Sequence, residues 1–139
     1  MIRVAVNEDR ESVFRLVGQL SHAIPLEREA FDQTWDRYFS GEDPVILLVA
    51  TGEGDAVEGY ALTTVVPLLS TNGPSAQLQE IVVDEDARGC DHGTALVRAV
   101  EAACVERGVT QLTVASRRAG GFYDRLGFHE SAEYMRRFF

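Results

Sequence analysis

The order of its predicted elements places this chain in the α+β class, with a central, mixed and mostly antiparallel twisted sheet of six to seven strands and about four helices on both faces. Short apolar or alternating runs of strand length are separated by turn residues. Segments with apolar residues at helical spacing lie between them, which gives the order βααβββαβαββ. A chain of 139 residues can form one hydrophobic core, so a single domain over residues 1–139 is expected.

The first half of the chain is predicted to contain four strands and two helices. Residues 2–6 alternate between apolar and polar side chains, and an acidic turn followed by helical spacing indicates the first helix. The second helix, residues 26–39, carries Phe31, Trp35 and Tyr38 on one broad stripe. The further strands are predicted at residues 45–50, 57–66 and 76–83, separated by turn-forming residues.

The second half is predicted to contain one long helix, one short helix and three strands. The long helix is amphipathic and packs on a sheet, because its apolar residues share one face. These residues are Leu96, Val97, Val100 and Cys104. The other elements are a strand at 111–116, a short helix that carries Tyr123 and is closed by Gly127, and a hairpin of residues 128–131 and 134–139.

The charge of the chain argues against a nucleic-acid partner. The net charge is −9, all thirteen basic residues are arginine, and no basic patch stands out. Up to Gln79 there are twelve acidic residues against five arginines, whereas from Glu80 onward there are ten against eight. The acidic first half suits a cationic amine as binding partner, although an acidic surface that only confers solubility explains it equally well.

No other feature of the composition indicates a membrane, a metal or a disulfide framework. No apolar run approaches the ~20 residues that span a bilayer, and the acidic start does not resemble a signal peptide, so a cytoplasmic location is expected. The two cysteines, Cys90 and Cys104, are expected to be reduced thiols. His22, His92 and His129 do not form a metal-ligand spacing with them, so no metal is predicted.

A strand, a glycine-containing turn and a helix N-terminus follow one another between residues 77 and 97. The free N–H groups of a first helical turn and the helix dipole favour a bound anion, such as a phosphate. Gly89 and Gly93 permit a positive φ or a close approach of the backbone to a ligand. An ordinary strand-to-helix turn is the alternative.

Two motifs in this half carry a family resemblance. The turn, Arg88-Gly89-Cys90-Asp91-His92-Gly93-Thr94, resembles the acyl-CoA pyrophosphate loop of the GNAT superfamily of N-acetyltransferases, usually Arg/Gln-x-x-Gly-x-Gly/Ala. Downstream, Phe122-Tyr123-Asp124-Arg125-Leu126-Gly127-Phe128 resembles the Phe-Tyr-x-x-x-Gly-Phe segment of the same superfamily. The two motifs have the order found in the family. The chain departs from the family at Asp91, where glycine is usual, and in a short loop before Tyr123.

The resemblance implies an acetyl-CoA-dependent N-acetyltransferase that moves acetyl directly to a small, cationic primary amine in a ternary complex. It implies that the first two helices line the acceptor pocket, that strand backbone holds the pantetheine arm, and that the turn holds the pyrophosphate. The implied acetyl-CoA contacts are Ile81, Val82, Val83, Arg88, Gly89, Cys90, Asp91, His92, Gly93, Thr94, Ser116 and Tyr123. Arg117 and Arg118 could meet the adenosine 3′-phosphate or be solvated.

Glu80 and Tyr123 are the candidate catalytic residues. Glu80 is predicted to share a strand face with Leu78 and Val82, and this surrounding would raise its pKa toward that of a general base. Tyr123 is the candidate acid toward the sulfur of CoA, because a phenol is neutral at working pH and can donate a proton. The alternatives are a solvated or paired carboxylate and a core tyrosine.

Two other functions compete with the enzyme. Asp91 and the short loop before Tyr123 favour a catalytically degenerate acyl-CoA-binding module that senses or regulates. A dinucleotide-binding fragment is disfavoured, because Gly-x-Gly-x-x-Gly and a repeated βαβ order are missing. The acceptor stays open between small-molecule and peptide amines, and a homodimer is possible because the family often dimerises.

Overall fold

The computed structural model describes residues 1–20, 24–116 and 121–139. Its strands are β1 (Ile2–Val4), β2 (Ile46–Thr51), β3 (Val57–Pro67), β4 (Pro74–Val83) and β5 (Gln111–Val114). Its helices are α1 (Arg10–Val17), α2 (Arg28–Ser40), α3 (His92–Glu106) and α4 (Phe122–Arg125). None of these four helices is both long enough and apolar enough to span a bilayer.

The five strands form one sheet in the order β1-β2-β3-β4-β5. All neighbours are antiparallel except β4 and β5, which are parallel because α3 crosses over between them. The prediction of an α+β fold with a mixed, mostly antiparallel sheet and four helices is confirmed.

The predicted count of six to seven strands is wrong. The expected hairpin at residues 128–131 and 134–139 is absent, and this part of the chain carries no strand. A segment rich in residues that favour strands forms a strand only where a neighbouring strand pairs with its backbone and its side chains find a packed surface. Residues 129–139 are exposed throughout, including Tyr134 and Met135, so neither condition is met.

Each face of the sheet carries its own hydrophobic core, because successive strand residues point to opposite faces. The core on the α1 side comprises Ala5, Val13, Leu16, Val17, Trp35, Leu47, Val49, Val57, Tyr60, Leu62 and Val82. The core on the α3 side comprises Ile46, Leu48, Ala50, Ala61, Ala76, Leu78, Leu96, Val97, Val100 and Cys104. The predicted apolar face of the long helix, including Cys104, is therefore confirmed.

A β-bulge in β4 changes which side chains share a face. Leu62 of β3 lies opposite Glu80, and the next residue of β3, Thr63, lies opposite Leu78, so Gln79 is an extra residue. The extra residue shifts the alternation. Leu78 consequently packs in the core on the α3 side, whereas Val82 packs in the core on the α1 side. Glu80 was predicted to share a strand face with Leu78 and Val82. For this reason the prediction is wrong for Leu78 and correct for Val82.

Asp9 anchors β1 to the start of α1. The residue is 6% exposed, and its carboxylate accepts hydrogen bonds from Arg3 Nη1 at 2.8 Å, Arg3 Nη2 at 3.0 Å and the Val6 N–H at 2.8 Å. The hydrogen bonds from Arg3 lower the pKa of Asp9. Because the folded pKa lies below the unfolded value of about 3.9, the stabilisation is complete above about pH 4 and is lost as the pH falls through the folded pKa.

Asp9→Asn is therefore expected to lower the free energy of unfolding at neutral pH by about 1–3 kcal/mol, with a difference from the wild type that shrinks below about pH 4. Urea unfolding across this pH range measures both effects. Asp55→Asn is the control, since Asp55 also pairs with Arg3 at 3.1 Å but has a side chain that is 61% exposed. Equal losses in the two variants, or a pH-independent loss for Asp9→Asn, would contradict the assignment.

Candidate active site

A cavity of about 470 Å³ opens on the α1 side of the sheet, beneath α1 and α2. It is lined by Val13, Val17, Ile24, Pro25, Leu26, Glu27, Ala30, Phe31, Thr34, Trp35, Tyr38, Leu47, Tyr60, Leu62 and Glu80. The aromatic stripe predicted on α2 is both core and lining, because Trp35 is 2% exposed and Phe31 and Tyr38 are only partly buried. This cavity can hold a small molecule beside the Glu80 carboxylate.

A buried tyrosine fixes the Glu80 carboxylate in this cavity. The Tyr60 hydroxyl, on a residue that is 1% exposed, donates a hydrogen bond to Glu80 Oε1 at 2.8 Å. Burial, followed by the charge of Glu80 and this hydrogen bond, raises the pKa of Tyr60 well above its usual range. Tyr60 is therefore a neutral donor at every physiological pH, and it leaves the remaining lone pairs of Glu80 for another proton donor.

The charge of the Glu80 carboxylate also affects Tyr38 of α2. Burial raises the pKa of Tyr38, and the charges of Glu80 and Asp43 raise it further. Sequence analysis placed Tyr38 on the stripe of α2 but linked neither tyrosine to Glu80. The missing signal was the register of β3 on β4, which pairs Leu62 with Glu80 and Tyr60 with Val82 and so places the Tyr60 and Glu80 side chains on the same face.

β5 leaves part of β4 with a free edge. It pairs with β4 only from Ser75 to Leu78, and among the described residues the 79–83 segment of β4 has a partner strand on its β3 side alone. Backbone N–H and C=O groups at such an edge are available to an extended ligand. Ile81, Val82 and Val83, the residues expected to hold a pantetheine arm, all lie in this segment.

The turn that follows β4 ends at the N-terminus of α3. Gly89 has a φ of 104° and Asp91 a φ of 60°, so two left-handed residues reverse the chain just before the helix. Within the described part of the chain, the backbone N–H groups of residues 91–94 have no recorded acceptor, as is normal for a first helical turn. These N–H groups and the dipole of α3 form a cradle that suits a phosphate group.

Gly93 joins the turn to two other predicted parts of the site. A methyl group on Gly93 would lie 3.5 Å from Phe122 Cζ and 3.9 Å from Val83 Cγ2, which are ordinary contacts. The first turn of α3, the end of β4 and α4 therefore meet at this position. The fold itself does not require a glycine here, because φ is not positive and a methyl group would fit.

Polar side chains from α1 and from the residues just after it bind the start of the turn. Asp84 is 8% exposed and accepts hydrogen bonds from Arg15 Nη1 at 2.8 Å and Gln19 Nε2 at 3.3 Å, while Gln19 Oε1 accepts from the Glu85 N–H at 3.1 Å. The hydrogen bond from Arg15 lowers the pKa of Asp84, so this ion pair is charged at neutral pH. Sequence analysis missed these residues, which lie more than sixty positions apart in the chain.

Tyr123 lies on the opposite face of the sheet from Glu80. It is half-buried in α4 and packs edge-to-face on Phe122 at 5.0 Å and on Phe128 at 5.6 Å, against the core on the α3 side. Glu80 reaches the cavity on the α1 side, and the free edge of β4 lies in the strand that carries it. The side chains of the two candidate catalytic residues, Glu80 and Tyr123, thus lie on different faces of the sheet.

The structure describes most of the other residues that were predicted to contact acetyl-CoA. Arg88 and Cys90 are exposed in the turn, and Thr94 is half-buried in the first turn of α3. Ser116 is exposed and follows β5, while Arg117 and Arg118 lie outside the described residues. Among the described residues, no group of three or more histidine, cysteine, aspartate or glutamate side chains could hold a metal ion.

The His92 side chain is nearly buried at the start of α3. It is 11% exposed, and its Nε2 is buried 3.6 Å from Glu58 Oε1 with no hydrogen-bond partner recorded in the described structure. The reason is that α3 begins at His92 and lies across the sheet, so the imidazole is placed beside β3.

Residues 43–130 match the sequence model of a protein family described as the acetyltransferase (GNAT) domain. The chain belongs to the GNAT acetyltransferase family. Many solved structures share its fold, and three of them serve as examples. They are glucosamine-6-phosphate N-acetyltransferase from Arabidopsis thaliana (TM-score 0.84, 22% identity, 100% of this chain and 97% of that chain covered), an acetyltransferase from Trypanosoma brucei (0.84, 22%, 100% and 99%) and a transcriptional regulator from Bacillus halodurans C-125 (0.83, 23%, 100% and 99%). No curated protein sequence matches the chain.

Membership of the GNAT family supports an acyltransferase activity for this chain. Asp91 is the position at which its turn departs from the pattern of the family. Asp91 is exposed, and its side chain makes no hydrogen bond to the first turn of α3. Aspartate adopts left-handed backbone more readily than most residues, so the turn keeps its shape without glycine. The carboxylate nevertheless adds a negative charge to a cradle that would bind an anion.

Asp91→Gly is expected to tighten acetyl-CoA binding by about fivefold or more. A carboxylate ~4 Å from a phosphate charge costs about 1 kcal/mol in water and several at a lower effective dielectric. Isothermal titration calorimetry measures the change. Asp91→Asn is the matched control, because it removes the charge and keeps a residue that tolerates left-handed backbone. Unchanged or weaker binding in both variants would show that the carboxylate does not oppose the ligand.

Proposed function

We propose that this GNAT chain is a single-domain, acetyl-CoA-dependent N-acetyltransferase that moves the acetyl group directly to a small, cationic primary amine in a ternary complex. One observation carries the proposal. Glu80, held by Tyr60 in a cavity of about 470 Å³, lies next to the 81–83 backbone whose outer edge β5 leaves free. An amine in the cavity and an acyl donor along the strand edge would therefore meet at β4.

Glu80 is proposed as the general base. A protonated amine is not nucleophilic, so a group in the acceptor site must remove a proton, directly or through a water. Tyr60 occupies one oxygen of the carboxylate, which keeps the side chain in one orientation. Acetyl-CoA supplies the activated acetyl group. Glu80 takes the first proton from the ammonium group, the neutral nitrogen forms the new C–N bond as the C–S bond breaks, and the second proton of the nitrogen passes to solvent.

The chain would hold acetyl-CoA mainly through its backbone. Ile81, Val82 and Val83 would bind the pantetheine arm at the free edge of β4. The N–H groups of residues 88–94 would surround the pyrophosphate, as the left-handed turn and the start of α3 allow. Arg88 would add a charge, and Thr94 and Ser116 would add hydroxyl groups.

Tyr123 is proposed as the acid that donates a proton to the departing sulfur. Tyr123→Phe is expected to lower kcat roughly tenfold to a hundredfold while leaving acetyl-CoA affinity nearly unchanged, because the ring still packs on Phe122 and Phe128. Steady-state thiol release and a CoA titration measure the two quantities. Tyr134→Phe is the control, since Tyr134 is 62% exposed in the C-terminal segment. Full activity of Tyr123→Phe would remove Tyr123 from the mechanism.

The proposed function is tested by binding and by turnover. Calorimetric titration with acetyl-CoA should show binding, and thiol release with a panel of primary amines should show turnover, with the acetylated product identified by mass spectrometry. Binding without thiol release for any amine would favour the acyl-CoA-binding sensor instead. Failure to bind any CoA species would overturn both readings.

A further inference from the structure

The described lining of the cavity carries negative charge and no positive charge. Its only acidic residues are Glu27 and Glu80, and the described lining residues include no arginine or histidine. The remaining residues are apolar or aromatic, apart from the hydroxyl of Thr34. An anionic group on a ligand would therefore be desolvated here without a partner, next to two carboxylates.

The arginines near the cavity are already paired. On α1, Arg10 binds Asp32 and Asp36, and Arg15 binds Asp84. On α2, each arginine likewise binds two carboxylates. Arg28 binds Glu11 and Asp32, and Arg37 binds Glu42 and Asp43. The carboxylates offset the charges of these arginines, so the arginines add little net positive charge for an anionic ligand near the cavity.

The aromatic residues of the cavity suit a cation on an apolar body. Phe31, Trp35, Tyr38 and Tyr60 line the same space as Glu80. Aromatic rings attract ammonium groups through their quadrupole, and they also bury apolar ligand surface. At the mouth, Ile24 is 60% exposed and Leu26 is 37% exposed, so apolar surface is available to be covered by a ligand.

We propose that the acceptor is a primary amine with an apolar, preferably aromatic, body and no anionic group close to the nitrogen. The inference rests on the proposed function and names the acceptor class for the same site. The ammonium group lies at Glu80, and the body packs on Phe31 and Trp35. The ammonium group gives one proton to Glu80, and the neutral nitrogen then forms a C–N bond to the acetyl carbon as the C–S bond breaks. The nitrogen loses a second proton to solvent, and CoA leaves as the thiol with a proton from Tyr123, which solvent replaces. Amino-sugar phosphates and free amino acids are poor acceptors.

A series of amines that differ in charge tests the acceptor class. The probes are 2-phenylethylamine, phenylalanine amide, phenylalanine, spermidine and glucosamine 6-phosphate, each assayed by thiol release and product mass. We expect kcat/KM for 2-phenylethylamine to exceed that for phenylalanine by at least about tenfold, because the added carboxylate faces Glu80 and Glu27. Phenylalanine amide, which lacks the carboxylate, should fall between them. A preference for phenylalanine, spermidine or glucosamine 6-phosphate would overturn the inference and leave the proposed function standing.

Binding provides a readout that does not depend on turnover. Trp35 is the only tryptophan of the chain and lines the cavity, so its fluorescence reports an occupant. We expect 2-phenylethylamine to change the Trp35 emission and phenylalanine to leave it unchanged at the same concentration. If no amine releases thiol but this difference is seen, the proposed function fails while the ligand class holds. Equal responses to both compounds would overturn the ligand class.

A positive charge introduced at Ala30 is expected to reduce this selectivity. Ala30 lines the cavity and is exposed on α2, so a longer side chain can extend without displacing the core. Ala30→Arg is expected to lower the preference for 2-phenylethylamine over phenylalanine by about tenfold, because the guanidinium can bind the carboxylate. Ala30→Gln introduces a shorter but flexible polar side chain without a charge, and it should keep the original ratio. The same ratio in both variants would contradict the inference, once circular dichroism shows that both are folded.

Discussion

Glu80→Gln is expected to reduce kcat by about 10²- to 10⁴-fold while leaving acetyl-CoA affinity within about twofold. The amide keeps the size of the side chain and can still accept the hydrogen bond from Tyr60, but it cannot take a proton from the acceptor. Acetyl-CoA affinity is preserved, because its proposed contacts are backbone groups of β4 and the turn. Thiol release at saturating amine, together with a CoA titration, measures both quantities.

A charge-neutral double variant is the matched control for this prediction. Combining Gln79→Glu with Glu80→Gln keeps the net charge and moves the carboxylate one residue along β4. Gln79 is the exposed bulge residue, and its Nε2 donates to Thr64 Oγ1 at 2.9 Å, away from the cavity lining. The double variant should therefore be as slow as Glu80→Gln alone. Recovery of turnover would mean that a carboxylate near the strand suffices and that the position of Glu80 is not decisive.

Trp35→Ala is expected to lower the free energy of unfolding by about 3–5 kcal/mol, a large part of the ~5–15 kcal/mol of a typical domain. Trp35 is 2% exposed and stacks on Phe31 at 5.8 Å and on Phe39 at 4.8 Å. Its Nε1–H donates to Asn7 Oδ1 at 2.9 Å, which ties α2 to the turn before α1. Urea unfolding followed by far-ultraviolet circular dichroism measures the loss without tryptophan fluorescence.

Two variants separate the contributions to this loss. Phe39→Ala removes another ring of the same stack, but Phe39 is 39% exposed, so a loss of about 1 kcal/mol is expected. Asn7→Ala leaves the indole N–H without its acceptor and is expected to cost about 1–3 kcal/mol. A loss for Trp35→Ala no larger than that for Phe39→Ala would mean that the α1-side core does not depend on the indole.

The local elements of this chain were predictable because neighbouring residues determine them. Alternation and helical spacing gave α2, α3 and the first four strands, with ends that differ by a few residues. The turn before α3 was predictable for the same reason, since Gly89 adopts a left-handed φ of 104°. Both motifs that carry the family resemblance lie in such local segments.

Contacts between distant residues were not predictable in this way. The Gln79 bulge depends on how β3 pairs with β4, and the alternation of apolar and polar residues within β4 does not predict it. The Tyr60 to Glu80 hydrogen bond follows from that register, and the hydrogen bonds from Arg15 and Gln19 to Asp84 follow from the packing of α1. The hairpin expected at residues 128–131 and 134–139 does not form. A strand requires a partner strand, and the composition of a segment does not specify one.

The sequence by itself determined the α+β class, the glycine turn at the head of α3 and the family to which the chain belongs, because these depend on residues that are close together along the chain. Only the tertiary structure decided which face Glu80 occupies, which hydroxyl holds its carboxylate and how far β5 runs along β4. Those features depend on strand register and helix packing, which arise when segments distant in sequence bury their apolar surfaces together.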